Sequence, residues 1–143
     1  EMLKAIQKNL PADVAIFTAA VADFKVINKS KNKIKKKEEL TIKLERNIDI
    51  LSFVSNHNSM RPKLVIGFAA ETNNLEENAI NKPQDKNCDI IIANDVSNQK
   101  IGFDSDFNEV QIFYKNKKKE KLFAKKKSVI SDEIVSRINS QLH

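Results

Sequence analysis

Asp23 stands where a carboxylate could meet a ligand. It follows a short apolar run, Val14–Phe17, and then Thr18, Ala19, Ala20 and Ala22. Small side chains at a strand end let a ligand approach the backbone. The aspartate could bind a base amino group or a metal ion, and a plain turn aspartate is the competing reading. From Lys29 to Lys37 the chain carries six lysines around one apolar residue, Ile34. Such a run suits a polyphosphate leaving group if the loop closes over it, and it also suits a solvated face. Further on, Phe68 offers a stacking surface or a core side chain. Glu71 offers an acid, a base, a metal ligand or a helix cap. Lys82 and Lys86 are four apart, so they share a helical face if Pro83 permits and could hold phosphates; unrelated surface lysines are the alternative. Cys88 adjoins an apolar run with no His nearby in sequence, which reads as structural rather than nucleophilic. His57 lies in a polar turn and His143 is terminal, so neither reads as catalytic.

The elements that must position these residues follow from periodicity. Met2, Leu3, Ile6 and Leu10 recur at helical spacing until Pro11. "DVAIFTA", "KLVIGFAAET" and "CDIIIAND" are continuous apolar runs that read as buried strands. Leu40, Ile42 and Leu44 alternate with Thr41, Lys43 and Glu45, which predicts a half-exposed strand with the segment from Ile34 as its hairpin partner. "DILSFVSNH" is helical with Asp49 as N-cap, and "NNLEENAINK" is helical with Asn73 or Asn74 as cap and Pro83 at its end. "EVQIFYKNKKKEKLFAKK" is a hairpin, and the tail helix carries Val129, Ile130, Ile134, Val135 and Ile138 on one face. Buried strands alternating with helices predict an α/β, Rossmann-like three-layer domain with a mostly parallel sheet plus an antiparallel hairpin. One domain over 1–143 is expected from the length. In such sheets ligands sit beyond the carboxyl ends of the strands. Those ends are Thr18-Ala19-Ala20, Phe68–Thr72 and Ala93-Asn94-Asp95.

Composition sets limits. The 143 residues carry a net charge of +6, concentrated in Lys29–Lys37 and Lys115–Lys127, but aromatics are 6% and tryptophan is absent. A base-stacking platform for nucleic acid is therefore poorly supported, and a lysine-biased surface explains the charge. No apolar run approaches the roughly 18 residues of a membrane span. One cysteine rules out an internal disulfide and fits a cytoplasmic setting. Two histidines are too few for a typical zinc site. Only Gly67 and Gly102 occur, so neither GxGxxG nor a Walker loop is present. The opening "EMLKAIQKNLP" reads as a helix already under way.

Taken in order, "AAVADFKV", "KIKKK", "GFAAETNN", "DIIIANDVS" and "GFDSDFNEV" resemble phosphopantothenoylcysteine synthetase, and the resemblance runs from about residue 1 to 140. It implies a dimeric, Rossmann-like ligase of coenzyme A biosynthesis that joins 4'-phosphopantothenate to L-cysteine. It further implies CTP as co-substrate with Mg2+ or another divalent metal, an acyl-cytidylate intermediate, and in many bacteria a fused flavin-dependent decarboxylase. Carried over by motif, Ala19, Ala20 and Asp23 match the cytidine-binding strand end and Lys33 the essential loop lysine. Ile48, Asp49, Ile50 and Leu51 match a nucleotide-contacting helix start, Phe68 a further nucleotide contact, and Lys82 and Lys86 the paired basic positions. The metal ligands are not assigned. The family's "GGT" and "NxSSGKMG"-type segments are absent from this sequence, so the chain by itself is expected not to catalyse. Two other readings stand beside this one: a dimerisation or regulatory relative without catalysis, and a basic nucleotide- or RNA-binding module. Dimerisation is expected through the Val110–Phe123 hairpin.

Overall fold

The computed structural model describes residues 1–30, 32–35, 40–71, 74–95 and 105–143. Lys31, Lys36 and Lys37 of the lysine run, Thr72, the cap candidate Asn73, and Gly102 lie outside the described residues. The chain divides into two compact units. A body is formed by Glu1–Ala19 with Ile50–His143, and an arm by Ala20–Asp49.

The body is built on a five-stranded sheet. Its strands are β1 (Val14–Phe17), β4 (Leu64–Glu71), β5 (Ile90–Asp95), β6 (Phe107–Tyr114) and β7 (Lys119–Lys126), in the spatial order β1-β4-β5-β6-β7. β1, β4 and β5 are parallel, and β6 and β7 complete the sheet as an antiparallel hairpin. Side chains in a strand alternate between faces, and both faces here are apolar. Leu64, Ile66, Ile90, Ile92, Val110, Ile112, Tyr114 and Leu122 form one core with Ile130, Ile134 and Ile138 of α5 (Lys127–Leu142). Val65, Ile91, Ala93 and Phe113 form the other with Ala79, Cys88, Leu51, Leu75 and Ile80. Those last residues belong to, or adjoin, α2 (Ile50–Ser55), α3 (Leu75–Ile80) and α4 (Lys82–Asp85). The three-layer α/β architecture expected from the continuous apolar runs is therefore present, but β1 is not the buried strand expected: as the edge strand, paired only with β4, it has no fully buried residue and leaves Ile16 exposed. The remaining helix, α1 (Met2–Lys8), buries no residue completely.

Gly67 explains how α2 reaches the sheet. A Cβ at this position would lie 2.6 Å from Leu51 Cδ2 and 2.9 Å from Ile91 Cδ1. The missing side chain is the space that Leu51 fills.

At the amino ends of the parallel strands, Arg61 clamps the connections. Its Nη2 donates to both carboxylate oxygens of Asp89, at 3.1 and 3.0 Å, its Nε to the Ser55 carbonyl at 2.8 Å and its Nη1 to the Pro62 carbonyl at 2.9 Å. Asp89 Oδ2 also accepts from the Val65 amide at 2.7 Å. The rear edge of the sheet is thus closed by polar contacts.

The arm holds β2 (Phe24–Val26) and β3 (Leu44–Arg46), paired antiparallel. This corrects two expectations. The partner of the Leu44 segment is Phe24–Val26, not the segment from Ile34, and the regular strand covers Leu44–Arg46 rather than starting at Leu40. Alternation marks a possible strand, but regular pairing needs a partner, and β2 supplies one only over three residues. On α5 the buried stripe is Ile130, Ile134 and Ile138, whereas Val129 and Val135 are exposed, so the apolar face is narrower than expected. In the β6–β7 hairpin, Val110, Ile112, Phe113 and Leu122 are spent on the body's own core, which leaves Phe123 as an outward apolar side chain.

Lysines of the second cluster meet local partners. Lys119 pairs with Glu76, Lys121 with Glu109 and Lys125 with Glu133, while Lys115 donates to Asn87 Oδ1 at 2.6 Å. Lys118 lies 5.4 Å from the centroid of the Tyr114 ring.

Candidate functional site

The carboxyl edge of the parallel strands is stepped. β4 and β5 end level, with Glu71 opposite Asp95, but β1 ends at Phe17 opposite Gly67. The last four residues of β4 therefore run on past β1 by about 13 Å at the usual rise per residue. Phe68, Ala69, Ala70 and Glu71 occupy this ledge. Thr18 and Ala19 leave β1 beside it, so small residues stand where a ligand would approach the backbone. Ledges of this kind at the carboxyl ends of parallel strands are the usual ligand sites of open α/β sheets.

Alternation divides the ledge. Phe68 continues the face of Leu64 and Ile66 and remains partly exposed. Glu71 continues the face of Val65 and Ala69, the same face on which Leu51 packs. There the Glu71 carboxylate accepts a hydrogen bond and ion pair from Lys82 Nζ through Oε1, and a longer contact from Asn78 Nδ2, at 3.4 Å, through Oε2. The Glu71 side chain is 15% exposed and that of Lys82 31%.

Pro83 does not disturb the lysine pair. It lies in the first turn of α4, where the absent amide proton costs no helical hydrogen bond. The Lys86 amide donates to the Lys82 carbonyl at 2.9 Å, so one helical turn separates the two lysines. They share a face, as their spacing requires.

The remaining predicted residues belong to the arm or to its return into the body. Because Phe24 pairs with Arg46, the residues just before β2 lie opposite those just after β3. The Asn47 amide donates to the Asp23 carbonyl and its Nδ2 to the Ala22 carbonyl, both at 2.7 Å. Antiparallel pairing therefore brings Asp23 and the Ile48–Asp49 segment, separate motifs in sequence, to one end of the ribbon. Ala20 opens the arm and is exposed, as is Ile48. Ile50 begins α2 and is buried, so its side chain serves the core. Lys33 lies exposed in the stretch between β2 and β3, near Ser30, whose Oγ donates to the Asn32 carbonyl at 2.7 Å. The arm also has an open groove of about 690 Å3, lined by Val26, Lys29, Asn32, Ile34, Ile42 and Lys43 among others.

The sequence left the Glu71–Lys82 contact unread. Its partners are 11 residues apart, across α3 and a proline, and no periodicity pairs them. For Cys88 the structural reading holds: the thiol is buried, and burial together with the nearby Asp89 carboxylate pushes its pKa to about 11. A thiol so rarely ionised is a poor nucleophile. Among the described residues no group of three or more His, Cys, Asp or Glu side chains could hold a metal ion, and no helix is long and apolar enough to cross a membrane.

Comparison with known proteins fixes the family. Residues 1–142 match the DNA/pantothenate metabolism flavoprotein C-terminal domain. The chain belongs to this family. It is 41% identical over 140 residues to the coenzyme A biosynthesis bifunctional protein CoaBC of Haemophilus influenzae, covering 96% of this chain and 34% of that protein. It is 41% identical over 136 residues to CoaBC of Escherichia coli K12, covering 90% of this chain and 33% of that protein. The chain thus spans about a third of the length of these curated relatives. The crystal structure of the C-terminal domain of CoaBC superposes with a TM-score of 0.72 at 35% identity, covering 99% of this chain and 63% of that one. The DNA/pantothenate metabolism flavoprotein from Streptococcus pneumoniae shares the fold at the same TM-score and 22% identity, over 98% of this chain and 69% of that one. The motif resemblance and the family match agree on the domain.

Proposed function

We propose that this chain carries the nucleotide-handling part of a phosphopantothenate–cysteine ligase of coenzyme A biosynthesis, working in the cytoplasm as a homodimer. The observation that carries the reading is the placement of the motif residues. Phe68 lies on the ledge at the carboxyl edge of the sheet, Lys82 reaches Glu71 at the end of β4 with Lys86 one helical turn further along, and Asp23 and Ile48–Asp49 meet at one end of the arm ribbon. The match to the C-terminal domain of CoaBC supports it further.

In this reading CTP is the co-substrate. The carboxylate of 4'-phosphopantothenate attacks the α-phosphate, a P–O bond forms, and pyrophosphate leaves with the electrons of the broken P–O bond. The amine of L-cysteine then attacks the acyl carbon, CMP departs and the amide remains. Lys82 and Lys86 would neutralise phosphate charge, and Phe68 would meet the nucleotide at the ledge. Lys33 would place its ammonium against the α-phosphate as charge develops, the kind of contact that acts mainly in the transition state. A divalent metal would arrive on the triphosphate, since the described side chains form no cage for one. Dimerisation would cover apolar residues of the arm, of which Leu40, Ile42 and Ile48 are about 60% exposed. In the relatives named bifunctional, a second activity shares the chain, and a fused flavin-dependent decarboxylase is the partner proposed here.

A nucleic-acid-binding module is less well supported, because Lys119, Lys121 and Lys125 of the second cluster already meet carboxylates. The test is Lys33→Gln in the full-length protein. CTP affinity should stay within a few-fold, while formation of phosphopantothenoylcysteine falls by about 100-fold or more, the usual cost of a lost transition-state donor. A variant that makes product at the normal rate overturns the role of Lys33. A full-length protein that binds no CTP and makes no product overturns the function.

A further inference from the structure

Lys82 has a resident counter-ion. Its ammonium is held by the carboxylate of Glu71, at the last position of β4, and both ends of the pair are fixed by regular structure. Glu71 is well covered and Asn78 steadies its other oxygen, so the carboxylate has little freedom to leave. Any phosphate that takes the Lys82 ammonium must therefore meet this carboxylate. The phosphate either displaces it from the lysine or sits beside it, and in both cases the negative charge opposes the anion.

We propose that Glu71 is a positioning residue that competes with the polyphosphate for Lys82. This rests on the nucleotide reading given above, in which Lys82 meets phosphate. While the anion is bound the pair is loosened; when the anion leaves, Glu71 recaptures the ammonium. Glu71 thus lowers the affinity for nucleotide and hastens departure of pyrophosphate. It touches neither the reacting carboxylate nor the α-phosphate, and acts only through Lys82. Fixing the lysine in one place also has a favourable entropic side, but direct charge repulsion a few ångströms from a multiply charged anion outweighs the ordering of one side chain.

The test uses the full-length protein with Glu71→Gln, Lys82→Gln and the double variant, titrated calorimetrically with CTP and separately with inorganic pyrophosphate. Glu71→Gln should tighten both ligands about three- to tenfold, Lys82→Gln should weaken both, and the double variant should bind like Lys82→Gln alone. In steady state, Glu71→Gln should lower KM for CTP and lower kcat together, as release becomes slow; a merely structural role would not give that split. Glu71→Asp draws the carboxylate back by one methylene and should give a smaller gain in the same direction, and it replaces the Gln variant if thermal melting shows that variant unfolded. Unchanged or weaker binding by Glu71→Gln, or a gain that survives in the double variant, overturns the proposal while leaving the ligase reading intact. If the wild type binds pyrophosphate but not CTP, the nucleotide assignment falls, and the Glu71 proposal stands if the variant tightens pyrophosphate. Binding of neither ligand by any of the proteins overturns both.

Discussion

The body and the arm use similar apolar patterns to opposite ends. In the body, Leu64, Ile66, Ile90, Ile92, Val110 and Ile112 disappear beneath α5, and the residues between them beneath α2–α4. In the arm, Leu40, Ile42 and Leu44 alternate as regularly and are each more than half exposed. Among the described residues the body has five hydrogen-bonded strands and the arm two strands of three residues, a two-stranded sheet that is too small to be stable on its own. An apolar alternation therefore predicts burial only where a second layer exists to bury it. The stability of the chain resides in the body, and the arm's apolar residues are available for contact with something else.

The comparison can be broken by truncating matched side chains. Ile112→Ala in the body should cost about 2–5 kcal/mol, because it leaves a cavity between the sheet and α5. Ile42→Ala in the arm should change stability by no more than about 0.5 kcal/mol. Urea denaturation of the two variants measures both. Equal losses would mean that the arm belongs to the same cooperative core. A shift in oligomeric state confined to Ile42→Ala would sharpen the contrast instead.

Much of the body was legible in the sequence because its signals are strong and local. Three continuous apolar runs gave the parallel strands, and the lysine-capped alternation gave the hairpin. The arm was harder. Phe24–Val26 has three residues, all exposed, and finds its partner beyond the lysine run, so nothing near it announces a strand. On α5, helical spacing groups Val129 and Val135 with their neighbours, while the sheet accepts only the Ile130, Ile134, Ile138 seam. At the candidate site, the lysine spacing was readable because one helical turn joins Lys82 to Lys86. The convergence of Asp23 with Ile48 and the capture of Lys82 by Glu71 depend on chain reversals that periodicity does not encode.

A smaller effect tests how the body's helical layer meets the sheet. Gly67→Ala places a Cβ within 2.6 Å of Leu51 and 2.9 Å of Ile91, so a side chain must move on each side. A loss of about 1–3 kcal/mol is expected from overpacking. Leu51→Ala in the same background should recover part of it, by making room at the closest contact. A neutral Gly67→Ala would show that α2 is not seated on β4, and would separate α2 from the body in the comparison above.

The smallest expected effect lies on the far side of the body, and its sign follows from one carboxylate. Burial alone would raise the pKa of Glu120, but hydrogen bonds from Tyr114 and Arg137, with the charge of Arg137, outweigh it and hold the carboxyl below its ordinary value. A carboxylate favoured in the folded state stabilises the fold above the unfolded pKa, near 4.3, and that contribution disappears as pH falls through the lower folded value. Tyr114 acts in the opposite sense: burial and donation to Glu120 raise its phenol, so its contribution is present at neutral pH and lost as pH rises past the folded value. Glu120→Gln should therefore cost on the order of 0.5 kcal/mol at pH 7, the scale of a partly exposed ion pair. The gap from wild type should narrow as denaturation is repeated from pH 5 downward. A gap that stays constant with pH would mean that Glu120 contributes packing rather than charge. The Glu120–Arg137 contact between the hairpin and α5 would then act through packing, leaving Lys125–Glu133 as an ion pair that joins them.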